Sequence, residues 1–299
     1  MPGVLAKAPA GGKGNVHPGS LPRIGPTRNL WNQLAMDRTL LVLSTFCFLF
    51  GFASTMYSLG ARAYRHSRLN LVAMLCGFVL QTAFLYVRGQ ALGRCPLTNL
   101  FEVLIFLSWS MVLFYLLIGP TYRLSLLGFF TSPLVFILQV FALLTPWDVP
   151  GSIRVQPNAW LELHAAVSIV AYGAFALAGV AGVMYLAQER QLKTHHLKSI
   201  FFHLPPICDL ATANRRLVLA GLLLLSVGLV AGFAMGNLDR HAGKIAWSSG
   251  VWLLYAFLAG AEAWRRISPR RAAWFSVGAF AVVLATLSGL TFIAQQPNL

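Results

Sequence analysis

Eight apolar stretches, each close to the roughly 20 residues that cross about 30 Å of hydrocarbon, constrain this chain more than any other feature. They run Thr39–Gly60, Leu69–Val87, Leu100–Ile118, Leu124–Leu144, Ala165–Leu186, Leu217–Met235, Ile245–Ala263 and Ala272–Ala294. The third carries Glu102 near its start and the seventh Glu262 near its end. Both acids sit where a carboxylate reaches the interface cheaply, so both spans stand. Hydrophobic residues make up 57% of the chain and charged residues 10%, against about 25% charged in an ordinary soluble chain. A soluble fold cannot hide that much apolar surface, and a bilayer can. The expectation is an all-α polytopic membrane helical bundle of about eight transmembrane helices over residues 37–299, with the lipid bilayer as its main partner.

The formal net charge of +15 raises nucleic acid as a partner, but the basic residues lie in the loops between spans, where they set orientation instead. The loops after helices one, three, five and seven hold thirteen Lys and Arg, and those after helices two, four and six hold five. The first set is therefore expected in the cytoplasm, which leaves both termini outside. The tail 1–36 opposes this with Lys7, Lys13, Arg23 and Arg28. Its Gly/Pro/Ala-rich composition reads as disorder, and it has no apolar core of its own to act as a signal peptide. Met36 stands directly before Asp37-Arg38 and an apolar run, so the first 35 residues are expected to be dispensable or a chain start set too early.

Residues able to do chemistry are few. Cys47 and Cys76 fall inside spans, Cys95 in an outer loop and Cys208 in an inner one; with no CxxC pair they are expected to be free. In the segment from Pro96 to Glu102, Pro96 suits a helix start, and Thr98 or Asn99 can cap it. Glu102 then falls in the first turn, where the helix dipole favours a carboxylate, yet at the edge of an apolar helix it needs a partner or water. Pro133 in helix four implies a kink. Trp147 and Trp160 read as interfacial anchors. His164 lies about one turn inside the outer interface; it is either a hydrogen-bonded packing residue or the imidazole that a haem iron or a proton relay requires.

The inner loop Gln188–Arg216 holds His195, His196 and His203 in no standard metal spacing; a basic loop over anionic headgroups is the better reading. Gly228 and Gly232 form a small-residue packing face. Gly236–Lys244, with Asp239, Arg240 and His241, reads as the outer loop between helices six and seven. No nucleophile–base pair, phosphate loop or paired membrane carboxylate is present, so the chain is not expected to be an enzyme. A transporter is disfavoured by the lack of an inverted repeat and of charge at mid-membrane.

Five pieces, in order, resemble the cytochrome c assembly proteins of the CcsA/HemX/YpjD type. Pro96-Leu97-Thr98-Asn99-Leu100-Phe101-Glu102 followed by Trp109 is similar to the family's P-x-x-N-x-x-E…W signature, and His164 with Ala171-Tyr172 to its histidine-led fifth helix. Gln188–Lys193 with Leu204-Pro205-Pro206 resembles its inner loop. Trp252–Ala256 and Arg270–Trp274 resemble the starts of helices seven and eight.

The resemblance implies haem handling at the outer face of a bacterial inner membrane, or at the equivalent thylakoid face, in cytochrome c biogenesis. Its implied partners are non-covalently bound haem, apocytochrome c or other cytochrome c assembly subunits. It makes His164 an axial iron ligand and places Glu102, Trp109 and Tyr172 among the cofactor-binding candidates. His241 joins them as the other outer histidine of the folded chain. Two departures stand out. The tryptophan-rich W-G-x-x-W-x-W-D segment is replaced by Gly236–Lys244, and Gln295 and Gln296 stand where a second outer histidine belongs. Both point to the HemX/YpjD branch and leave room for an alternative role as a membrane regulator of tetrapyrrole biosynthesis acting through cytoplasmic loops.

Overall fold

The computed structural model describes residues 27–60, 67–97, 99–118, 125–144, 159–194, 206–234, 238–264 and 266–294. Side chains at 27–37, 58–60, 67–68, 125–126, 194, 238–245 and 286–294 fall outside that description. Every described element is a helix: α1 (Thr27–Gly60), α2 (Ser67–Leu92), α3 (Leu100–Ile118), α4 (Ser125–Leu144), α5 (Ala159–Thr194), α6 (Ile207–Ala234), α7 (Leu238–Ala263) and α8 (Pro269–Ala294). Six of them, α1 to α6, contain segments long and apolar enough to cross a membrane. The chain is thus a multi-pass membrane protein.

Several helices outrun their apolar runs. Helix α1 starts at Thr27 and α5 at Ala159, because hydropathy marks only the part of a helix that must sit in hydrocarbon. Helix α7 starts at Leu238, so most of Gly236–Lys244 is helical and not the loop that its charges suggest. His195, His196, His203, Trp147, Gln295, Gln296 and residues 1–26 lie outside the described residues.

Helices α1 to α4 pack as one group and α5 to α8 as a second, joined mainly by α3 against α5. In the first group, Ser44 and Thr45 of α1 donate to Gln139 Oε1 of α4 at 3.2 and 2.7 Å. Gln81 Nε2 of α2 donates to Ile105 O and Ser108 Oγ of α3 at 2.8 and 2.6 Å. Lipid tails are as apolar as leucine, so such interhelical hydrogen bonds and close backbone approach hold the bundle in place of the hydrophobic effect.

Helix α5 is the central post. Every residue from Ala171 to Gly179 is buried, and the Ala/Gly-rich sequence there lets three neighbours come close. A Cβ on Gly173 would strike Ser110 of α3, and one on Gly182 would sit 3.0 Å from Ala273 O of α8. Outward, Phe46, Tyr86, Leu144, Leu223, Val230 and Phe257 stay exposed, as lipid-facing residues do. Pro133 lies within α4, which continues through it as one helix.

Candidate functional site

The loop between α2 and α3 builds one corner of the bundle. Gly93 adopts φ 62°, the left-handed conformation that ends a helix, and the Arg94 N–H donates back to Gly89 O at 3.3 Å. After Pro96, Asn99 Oδ1 accepts the Glu102 N–H at 2.8 Å. Asn99 is therefore the cap of α3, and it sets Glu102 in the first turn. The partner that Glu102 needs is Arg88, whose Nε donates to Glu102 Oε1 at 3.0 Å with both side chains only 2% exposed. The Arg88 guanidinium lies 5.0 Å above the Phe101 ring. The sequence puts Arg88 in a loop, whereas α2 continues past it to Leu92 because Glu102 satisfies the charge.

This corner reaches α5. Cys95 lies near both Glu162, in the first turn of α5, and Glu102. Burial first, then the Glu162 and Glu102 carboxylates, push its thiol above the usual range.

His164 is held by α6. Its Nδ1 is 2.6 Å from Gly228 O. A carbonyl oxygen can only accept, so Nδ1 carries the proton in this contact and the neutral ring keeps its lone pair on Nε2. A Cβ on Gly232 would lie 2.9 Å from His164 Nδ1, and one on Gly228 would lie 2.7 Å from Ser168 Oγ. Further in, a Cβ on Gly221 would strike the Phe175 ring. Three glycines of α6 thus receive three side chains of α5 in one antiparallel register. The pair Gly228 and Gly232, readable in sequence as a packing face, is the seat of the imidazole. Half-buried, with one nitrogen fixed by a backbone carbonyl, His164 has the arrangement that orients metal-ligating histidines. Among the described residues no cluster of three or more His, Cys, Asp and Glu forms.

The remaining candidates fall at different places. Tyr172, two turns inward on α5, is buried and faces Ser248 of α7. Phe175 stacks on Tyr255 of α7 with ring centroids 3.5 Å apart and planes within 5°. Trp252 Nε1 of α7 donates to Ser226 Oγ of α6 at 2.8 Å. These contacts lock α5, α6 and α7 into a unit beneath His164. Trp109 is elsewhere: its Nε1 donates to Thr82 Oγ1 of α2 at 2.9 Å, and it stacks on Phe78 at 5.4 Å. It braces α2 on α3 and does not join His164. His241 belongs to the start of α7, and its side chain lies outside the described residues.

Sequence comparison places this architecture among known proteins. Protein HemX of Brevibacillus brevis is 29% identical over 173 residues, covering 58% of this chain and 64% of its own length. The cytochrome c biogenesis protein CcsA of Guillardia theta is 26% identical over 238 residues, 72% of this chain and 79% of its own. The CcsA of Prochlorococcus marinus (strain MIT 9301) is 25% identical over 282 residues, 84% of this chain and 91% of its own. The family model described as cytochrome C assembly protein matches residues 97–295, from the α2–α3 corner to the end of α8. Since that match takes in most of the chain and both the Glu102 and His164 helices, the protein belongs to the cytochrome c assembly protein family.

Proposed function

We propose that this protein binds haem non-covalently at the outer face of a bacterial inner membrane and serves cytochrome c biogenesis as a non-catalytic, haem-handling or accessory subunit. The observation that carries the reading is the 2.6 Å contact between His164 Nδ1 and Gly228 O. It leaves Nε2 as the donor nitrogen, the state an axial ligand needs. The charge distribution across the spans puts the His164 end of α5 on the non-cytoplasmic side by an argument that uses none of the same residues. When bound, haem would supply an iron able to take up nitrogen ligands and change redox state. The chain's own residues hold and orient: His164 as first ligand, Gly228 and Gly232 as its seat, and His241 of α7 as the proposed second ligand. Tyr172 fixes α7 beneath them. The Arg88–Glu102 pair fixes the neighbouring outer corner, and Trp109 braces α2 on α3. Apocytochrome c and other assembly subunits are the partners proposed.

The test is the visible absorption of protein purified in detergent after expression with ample haem. A Soret band that His164→Ala removes is the expected result, and a colourless wild-type protein overturns the reading.

The similarity to HemX favours a second reading, a membrane regulator of tetrapyrrole biosynthesis acting through the cytoplasmic segment 188–216. It expects substitutions in that segment, and not His164→Ala, to change the level of a haem-pathway enzyme. Unchanged enzyme levels in a deletion strain dispose of it.

A further inference from the structure

On the opposite half of the bundle, α4, α5 and α8 leave a crevice of about 190 Å³. Phe130 and Leu134 of α4, Val180 and Val183 of α5, and Val277 and Phe280 of α8 line it. Among the described residues no polar side chain lines it. A water molecule there would find no partner, and the space exceeds the roughly 30 Å³ that one water occupies in the liquid. Val183 remains exposed at its rim, so in the membrane the crevice opens to lipid.

Its depth is set by the two helices that form most of it. Val277 and Phe280 stand seven and ten residues along α8 from Arg270, and Val183 stands seven residues before Arg190 on α5. At 1.5 Å per residue both helices put the crevice roughly 10–15 Å from a basic cluster, within the inner half of a hydrocarbon layer about 30 Å thick.

That cluster has an excess of positive charge. Glu189 accepts from Lys193 Nζ at 2.7 Å and forms an ion pair with Arg270 Nε at 3.3 Å, one carboxylate between two cations. Arg190, next to Glu189 in sequence and exposed, stands two turns from Val183 on the same face of α5, and α8 has no acid in its first turn. Of the acids on the neighbouring helix ends, Asp209 lies in the first turn of α6, and Glu262 of α7 lines a small cleft with Tyr185, Asn214 and Pro269 that adjoins the cluster.

We propose that one anionic phospholipid of the cytoplasmic leaflet binds here, with an acyl chain in the α4–α5–α8 crevice and its headgroup phosphate at Arg190 and Arg270. Charge complementarity selects the headgroup and the apolar crevice takes the chain, so both halves of the ligand are recognised at their proper separation. This site is independent of the haem reading and lies on the other side of the membrane from His164.

The experiment is native mass spectrometry of the full chain released from detergent micelles, titrated with dioleoyl phosphatidylglycerol or dioleoyl phosphatidylcholine. One retained phosphatidylglycerol is expected, half-saturating at a concentration at least fivefold below that of phosphatidylcholine. Arg190→Gln is expected to weaken phosphatidylglycerol roughly fivefold, the worth of one basic residue near an anionic surface, while leaving phosphatidylcholine unchanged. Val183→Phe, which fills the rim, is expected to abolish the retained adduct at an unchanged gel-filtration profile. Equal retention of the two lipids, or an adduct indifferent to both substitutions, overturns the proposal.

Discussion

Replacing Glu102 by Leu leaves the Arg88 guanidinium, 2% exposed, without the carboxylate 3.0 Å away. Breaking a buried pair from one side costs about 3–5 kcal/mol, because the remaining buried charge loses the opposite charge that offset its desolvation. For a domain of this size each kcal/mol moves the melting midpoint by about 2–4 °C, so a drop of roughly 6–20 °C is expected. Arg88→Met should cost a similar amount, and it also removes the cation over the Phe101 ring. The double variant Arg88→Met with Glu102→Leu removes both charges and fills the space with apolar groups, which is often neutral or better. It should melt within about 3 °C of the wild type. The assay is the fraction of detergent-solubilised protein that stays monodisperse on gel filtration after heating. The reasoning is refuted if either single variant melts like the wild type, or if the double variant is as unstable as the worse single one.

Three further outcomes follow from the same geometry. Gly232→Ala places a methyl group 2.9 Å from His164 Nδ1 and should weaken haem binding about tenfold, or about 1.4 kcal/mol, in an absorbance titration. Cys95 should react with a membrane-impermeant maleimide only above the ordinary thiol range of about 8.5, since its thiolate is disfavoured by burial and by Glu162 and Glu102; Glu162→Gln should lower the midpoint of the rate profile. Asn214→Ala removes the Nδ2 donations to Ala178 O at 2.7 Å and Ser276 Oγ at 2.9 Å, and at about 0.6 kcal/mol per interhelical bond it should lower the melting midpoint by only a few degrees.

What the sequence made legible was local. Apolar run length marked the spans, and the Asn99 cap and the first-turn position of Glu102 lie within a few residues of each other. Arg88 was misread because hydropathy falls at the end of the Leu69–Val87 run, while its partner is fourteen residues away on another helix. Gly228 and Gly232 could be recognised as small, but only the α5–α6 register reveals that they seat His164. A charged stretch such as Gly236–Lys244 looks like a loop, although a helix end outside hydrocarbon carries charge at no cost. Trp109 and Tyr172 share motifs with Glu102 and His164, and shared motifs do not entail shared sites: Trp109 faces Thr82 and Tyr172 faces Ser248.

The measurement closest to the core of this account is chemical rescue at position 164. Purified His164→Gly, mixed with haem, should lack the Soret maximum of the wild-type complex, and added imidazole should restore it by occupying the vacated ligand position. A variant that binds haem with the wild-type spectrum before any imidazole is added would contradict the assignment of His164 as the iron's ligand.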